Sequence, residues 1–329
     1  MVYSNRERAI DVEELSNSYA DVRAVAGVDF WVDAGELFGF LGPNGAGKTT
    51  TINILTGLAR PDAGTIRIMG IDCSRKPKAA QHLMGIVPDE SNLYPELTGF
   101  ENLCFCGSLY GMGKRERERR AEELLKQFGL NEAGSRKFAG YSKGMKRKLT
   151  IAAGIIHSPP ILFLDEPTSG IDVASARQIR RLIADLNASG VTVFLTTHYI
   201  EEAERLCKRI AFIVSGKIVR TDTVGTLMRQ TEDTHIMRFE VAGDVNLLCG
   251  EIMTEFPGLK AQATVPDVIR VESREPVKVG AVVRFLEDHG AEVFEARKIR
   301  PSLEEVFVRV TGIEAADMKQ EKIKSGGGS

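Results

Sequence analysis

At roughly 150 residues per domain, a chain of 329 residues is long enough for about two domains. Its 43% hydrophobic and 27% charged residues are ordinary globular usage, which excludes disorder, collagen-like repeats and coiled coil as descriptions of the whole. Lysine and arginine number 43 against 45 acidic residues, a net charge of −2, so no overall field favours nucleic acid as the main ligand. The most apolar long window, Leu149 to Leu164, is interrupted by His157, Ser158, Pro159 and Pro160 and falls short of the ~20 clean residues of a membrane span. The opening MVYSNRERAIDVEEL lacks the apolar core of a secretory signal, so the chain reads as cytosolic, with any membrane role delegated to a spanning partner. Cys73, Cys104, Cys106, Cys207 and Cys249 are too few and too scattered for a disulfide framework, and Cys104 and Cys106, with no second Cys/His pair at zinc spacing nearby, read as buried thiols.

In chain order, the first 90 residues read mostly as strands. Glu36 to Gly42 (ELFGFLG) is a near-continuous apolar run, as expected of a strand buried on both faces, and Ile66 to Gly70 alternates after the turn Pro61-Asp62-Ala63-Gly64. From about Asn92 to His157 the pattern turns helical: Ala121, Leu124, Leu125 and Phe128 make one apolar stripe, and the basic run Lys114 to Arg120 before them reads as a solvated helix face. Strands at Ile161–Asp165, Val191–His198 and Arg209–Val214 then alternate with helices near Ala174–Ser189 and Ile200–Cys207, which predicts a parallel sheet in an α/β layer fold. After about Val224 the order becomes strand (Ile236–Val241), helix (Val245–Phe256), strand (Leu259–Val265), strand (Val268–Val271), helix (Val277–His289), strand (Glu292–Lys298) and a short closing helix. That β-α-β-β-α-β order predicts a small ferredoxin-like α+β domain over 225–313, followed by a tail, 314–329, whose SGGGS reads as a linker remnant.

Two motifs carry chemistry. Gly42 to Thr50 (GPNGAGKTT) matches G-x-x-x-x-G-K-[ST] between an apolar strand and a plausible helix. Such a loop turns backbone N–H groups toward phosphate oxygens, and the helix N-terminus behind it adds its positive dipole end. Asn44, Gly45, Gly47, Lys48, Thr49 and Thr50 are its candidate nucleotide-binding residues, with Lys48 on the β/γ-phosphates and Thr49 on Mg²⁺. Downstream, Ile161 to Pro167 (ILFLDEP) ends an apolar strand on Asp165, a candidate Mg²⁺ ligand, with Glu166 placed as general base for an attacking water.

With these motifs in this order, the chain resembles the ATP-binding subunit of an ABC transporter. Tyr141 to Leu149 (YSKGMKRKL) is similar to that family's LSGGQ signature: Ser142 and Gly144 match, while Lys143 and Met145 depart. The resemblance implies a P-loop ATPase cassette over 1–224 with a helical subdomain at about 92–157. It also implies that two chains, as a homodimer, sandwich two ATP molecules, each between Lys48 of one chain and Ser142 and Gly144 of the other. Ser169 to Asp172 resembles the dimer-contact loop, His198 the switch histidine at the γ-phosphate, and Tyr19 the aromatic that stacks on adenine; a core tyrosine is the rival reading of Tyr19. Where the family carries a glutamine after a valine–proline pair, this chain has Asp89, a third candidate metal ligand.

The ending Pro301 to Gly312 (PSLEEVFVRVTG) is similar to the drug, antibiotic and natural-product exporter branch, in which a separate ATPase chain works with an integral membrane permease. The implied protein is a peripheral ATPase at the cytoplasmic face of the membrane, binding ATP and Mg²⁺ and no nucleic acid. A soluble non-transport ABC-type ATPase and an ATP-binding regulatory subunit are the alternatives.

Overall fold

A two-stranded ribbon opens the fold, and its second strand ends in a clean alternation of buried and exposed side chains. In β1 (Arg8–Tyr19) and β2 (Val22–Asp33), which pair antiparallel, Val28, Phe30 and Val32 point inward while Asp29 and Trp31 point outward. The computed structural model that shows this describes residues 7–232, 235–265, 267–276, 278–299 and 302–313. Pro301, the expected helix start at Val277 and the tail 314–329 lie outside the described residues. β3 (Leu37–Leu41) is buried at every position, as its unbroken apolar run predicts. It leads through the glycine loop into α1 (Lys48–Leu55), followed by β4 (Ala63–Ile68), β5 (Ile71–Asp72), α2 (Pro77–Gln81) and β6 (Met84–Val87).

The helical stretch consists of α3 (Gly99–Leu109), α4 (Lys114–Gln127) and α5 (Lys143–Gly154). Thr98 and Glu101 form a reciprocal capping box that starts α3. α4 buries Ala121, Leu124 and Leu125 and points its basic run to solvent, where Lys114 pairs with Glu118 and Arg119 with Glu123. The chain continues through β7 (Ile161–Asp165), α6 (Val173–Ala188), β8 (Thr192–Thr197), α7 (Ile200–Leu206), β9 (Arg209–Val214) and β10 (Lys217–Thr223). β1, β2, β4 and β5 form an antiparallel sheet in the order β2-β1-β4-β5, and the larger sheet runs β10-β9-β3-β8-β7-β6. Its pairings β9–β3, β3–β8, β8–β7 and β7–β6 are parallel. Phe30 of β2 lies 5.6 Å from Phe40 and 5.8 Å from Phe194, so aromatic rings join the core between the two sheets. Each such buried ring stabilises by about 1.5–3 kcal/mol. At this unit's surface Trp31 is 39% exposed, with the Arg209 guanidinium 4.8 Å and that of Arg8 5.2 Å from its ring.

The described chain divides into two compact units, the second spanning Thr223–Gly312. It opens with α8 (Val224–Glu232), which sequence patterning does not anticipate, as it does not anticipate β10. It continues with β11 (His235–Ala242), α9 (Val245–Glu255), β12 (Lys260–Val265), β13 (Val268–Ser273), α10 (Val279–Asp288), β14 (Glu292–Ile299) and α11 (Leu303–Thr311). The sheet order is β12-β13-β11-β14, antiparallel at each pairing. Met237, Phe239, Ile269 and Val271 pack with Leu248 and Ile252 of α9 and Val282 and Leu286 of α10. On the intervening positions, Arg270 pairs with Glu272 at 3.0 Å and with Glu305 of α11. Of the thiols, Cys207 and Cys249 are buried, whereas Cys104 and Cys106, expected to be buried, are only partly covered, as is Cys73.

Candidate functional site

The phosphate loop is shaped by main-chain geometry before any side chain acts. Gly47 has φ +102°, and a Cβ there would fall 2.3 Å from the Ala24 carbonyl oxygen, so only glycine fits. Gly45 is also left-handed, at φ +78°, and Asn44 sits beside it on the loop. α1 begins after Gly47 with no side-chain cap on its first N–H groups, which leaves a helix N-terminus suited to an anion. The amine of Lys48 is buried and donates to the carbonyls of Gly42 (2.7 Å) and Pro43 (3.1 Å). Thr50 is half-buried in the first turn of α1.

Thr49 and Asp165, 116 positions apart in sequence, meet here: Thr49 Oγ1 donates to Asp165 Oδ2 at 2.9 Å. The other carboxylate oxygen of Asp165 accepts from Thr196, a residue that sequence reasoning missed because an apolar strand ending in two threonines carries no metal signal. Burial pushes the Asp165 carboxyl above its ordinary range, against the hydrogen bonds from Thr196 and Thr49 that lower it. A hydroxyl and a carboxylate at the end of a strand are hard oxygen donors suited to Mg²⁺, which takes few protein ligands and fills its shell with water and substrate phosphates. Among the described residues no cluster of three or more His, Cys, Asp and Glu could hold a metal by itself.

Glu166 follows at φ +47°, a left-handed backbone for a residue with a Cβ. Its buried carboxylate lies 3.4 Å from Lys48 Nζ through Oε1 and 2.8 Å from His198 Nδ1 through Oε2. Burial raises this carboxyl, but the His198 hydrogen bond and the charge on Lys48 outweigh it and hold it below the usual glutamate range. An ionised carboxylate accepts from His198 Nδ1–H, which fixes the tautomer and leaves Nε2 as the second functional nitrogen of that ring. Lys48, Thr49, Asp165, Glu166 and His198 are therefore one linked cluster at the ends of the parallel strands.

The remaining candidates stand around it. Ser142 caps α5, accepting from the Met145 N–H at 3.3 Å, and is itself exposed. Gly144 is buried within the first turn of α5, where a Cβ would lie 2.5 Å from Ser175 Oγ. Asp172 caps α6 by accepting from the Ser175 N–H at 2.9 Å. Tyr19 is 51% exposed at the end of β1, which removes the core-tyrosine reading. Asp89 lies on the exposed loop after β6; its charge contributes to the raised Asp165 carboxyl, and its main-chain carbonyl accepts from Arg147 at 3.1 Å. Thr168 donates to the buried carboxylate of Glu202 at 2.8 Å, a further contact that no motif announced.

Comparison with known proteins accounts for this arrangement. Residues 25–169 match the model of the ABC transporter family. The daunorubicin resistance ATP-binding protein DrrA2 of Streptomyces coeruleorubidus is 37% identical over 92% of this chain and 95% of its own length. The linearmycin resistance ATP-binding protein LnrL of Bacillus subtilis (strain 168) is 36% identical over 92% and 98%. The Nod factor export ATP-binding protein I of Paraburkholderia xenovorans is 36% identical over 94% and 99%. Among solved structures, an ATP-binding subunit of an ABC transporter superposes with a TM-score of 0.62 at 33% identity, over 68% of this chain and 92% of that one. The dimeric cassette MJ0796 in a post-hydrolysis state with ADP and Pi gives 0.60 at 28% identity, over 65% and 98%. The chain belongs to the ABC transporter family, as an ATP-binding subunit with ATPase activity. Within that family it falls in the drug and antibiotic exporter branch.

Proposed function

We propose that two copies of this chain close on two ATP molecules and thereby drive a separate membrane permease that exports an organic product. The observation that carries the reading is the cluster of Lys48, Glu166 and His198 beside the Thr49–Asp165 pair. Lys48 and the N–H groups of Asn44 to Thr50 bind the phosphates, whose oxygens compete with the loop carbonyls and Glu166 for the lysine amine. Glu166, held ionised, takes a proton from the attacking water as the new O–P bond forms and the bond to the ADP oxygen breaks. His198 fixes the carboxylate through Nδ1 and offers Nε2 toward the γ-phosphate. Mg²⁺, held by Thr49 and Asp165 with Asp89 as a third candidate, would neutralise phosphate charge. Ser142 and Gly144 at the N-terminus of α5 serve the nucleotide of the opposite chain, Asp172 lies at the dimer contact, and Tyr19 stacks on adenine.

The relatives' names support export of an antibiotic-like or signal-like organic molecule, and the MJ0796 dimer supports a two-chain sandwich. No helix among the described residues is long and apolar enough to cross a membrane. In this reading a separate permease supplies the span, and the chain sits at the cytoplasmic face. We read residues up to about 224 as the ATPase domain and the β-α-β-β-α-β segment after it as a ferredoxin-like accessory domain, a reading supported by its four-stranded antiparallel sheet. The decisive experiment is Glu166→Gln: ATP binding should persist, single-turnover hydrolysis should fall by about 10²–10⁴, and Mg-ATP should hold the chains as dimers by mass in solution. Hydrolysis near the wild-type rate would sink the assignment.

A further inference from the structure

Arg147 looks like one more member of the basic run Lys143 to Lys148, yet it is buried while Lys143 is exposed and Lys146 and Lys148 are only partly covered. Burying a guanidinium costs several kcal/mol unless its donors are satisfied. Here they are satisfied by four main-chain carbonyls from two separate segments. Nε donates to Pro167 O at 2.9 Å, Nη2 to Asp165 O at 2.5 Å, and Nη1 to Pro88 O and to Asp89 O, the latter at 3.1 Å. Two of those carbonyls belong to the residues on either side of Glu166. The other two belong to the loop that carries Asp89.

Glu166 itself needs such support. A left-handed backbone at a residue with a Cβ costs about 1–3 kcal/mol and persists only when its surroundings hold it. The Glu166 N–H donates to Thr196 O at 3.1 Å, and Arg147 fixes the neighbouring carbonyls. Arg147 rides on α5, five residues after the Ser142 cap, about 7.5 Å along the helix axis. One planar fork thus ties the helix bearing Ser142, the segment bearing Glu166 and the loop bearing Asp89. Lysine has the charge but not the rigid five-donor fork.

We propose that Arg147 is a positioning residue for hydrolysis: it sets the Glu166 carboxylate by clamping the backbone on both sides of it, and it makes the Asp89 loop and the Ser142 helix share that setting. This rests on the reading of Glu166 as general base.

The test is steady-state turnover and Mg-ATP binding by the full chain carrying Arg147→Lys or Arg147→Gln, alone and combined with Glu166→Gln. The expected result is a kcat about 10²-fold lower with KM and Kd for ATP within about threefold, since misplacing a reacting group by about 1 Å costs that much. In the Glu166→Gln background, Arg147→Lys should lower the residual rate by less than about threefold, because both changes act on one step. A folded Lys or Gln variant with wild-type kcat overturns the proposal. So does a loss confined to KM, or a full additive loss in the double variant. If neither single variant folds, Arg147 serves stability alone and the proposal fails. Wild-type turnover in Glu166→Gln by itself would instead remove the general-base reading, and the kcat–KM split of the single Arg147 variants would still be decided on its own.

Discussion

The two units of this chain bury different kinds of atoms. The first keeps Lys48, Arg147, Asp165, Glu166, Thr196, His198 and Glu202 away from solvent, together with a glycine loop and a strained glutamate. In the second, Ser273 and Glu305 are the buried polar side chains among the described residues, and the rest of its interior is apolar: aliphatic residues with Phe239, Phe307, Met237 and Cys249. Buried polar groups cost free energy unless satisfied, so a region that accumulates them has been shaped for chemistry at the expense of stability. A region whose interior is almost wholly apolar has been shaped to stay folded. The contrast predicts that substitutions at the buried polar cluster around the phosphate loop change turnover, while those in the second unit change melting and leave the rate alone.

The sharpest way to break the contrast is at Ser142. Ser142→Arg should lower ATPase activity by at least about 10²-fold, the usual cost of losing a preorganised phosphate-side donor. Binding of ATP by the same chain should persist, because the serine serves the opposite chain's nucleotide. Equilibrium binding beside a rate titrated against protein concentration checks this; a concentration-independent rate in a proven monomer would contradict the shared site. In the second unit, Glu305→Gln weakens the charge pair with Arg270 and should destabilise by about 2 kcal/mol in denaturant melts, with kcat unchanged within about twofold. A large fall in kcat there would dissolve the distinction between the units.

Two smaller effects sharpen it within the first unit. His157 stacks flat on Tyr110 at 3.5 Å, and burial pulls its pKa from 6.5 down to about 4. The unfolded chain therefore takes up this proton before the folded one does, so the stability it contributes is present above pH 6.5 and is lost as pH falls from there through about 4. Urea midpoints at pH 7 and pH 5 should differ less in His157→Phe than in the wild type. The smallest change is expected at Asp89. Asp89→Gln should keep turnover within about threefold, since an amide oxygen can replace a carboxylate oxygen in a water-filled Mg²⁺ shell. An inactive but folded Gln variant would give the loop a different role.

The cluster around the phosphate loop was legible because its members sit at fixed spacings whose chemistry constrains residue type: glycine where a Cβ collides, lysine, hydroxyl, and paired carboxylates after an apolar strand. The parallel sheet was legible from unbroken apolar runs. β10 was missed because it is a half-exposed strand at the sheet edge with no apolar run, and α8 because Val224–Glu232 mixes threonine, glycine and charge with few apolar anchors. Arg147 escaped for a different reason. Its neighbours are lysines, so charge patterning reads the segment as surface, although Gly144, Arg147 and Ile151 fall on one buried helical stripe. Charge at a buried helical position is the signal that such a clamp leaves in a sequence.

Trp31, flanked by two arginines on the outer side of β2, is the sole tryptophan of the chain, and its six tyrosines likewise fall outside Thr223–Gly312. The second unit, which carries phenylalanine but neither tryptophan nor tyrosine, is therefore optically silent above about 280 nm. Indole emission reports melting of the first unit alone, whereas far-ultraviolet dichroism reports both. Recording the two signals in one thermal scan separates the units without cutting the chain: coincident curves mean one cooperative transition, and a dichroism step without an emission step is the second unit unfolding by itself.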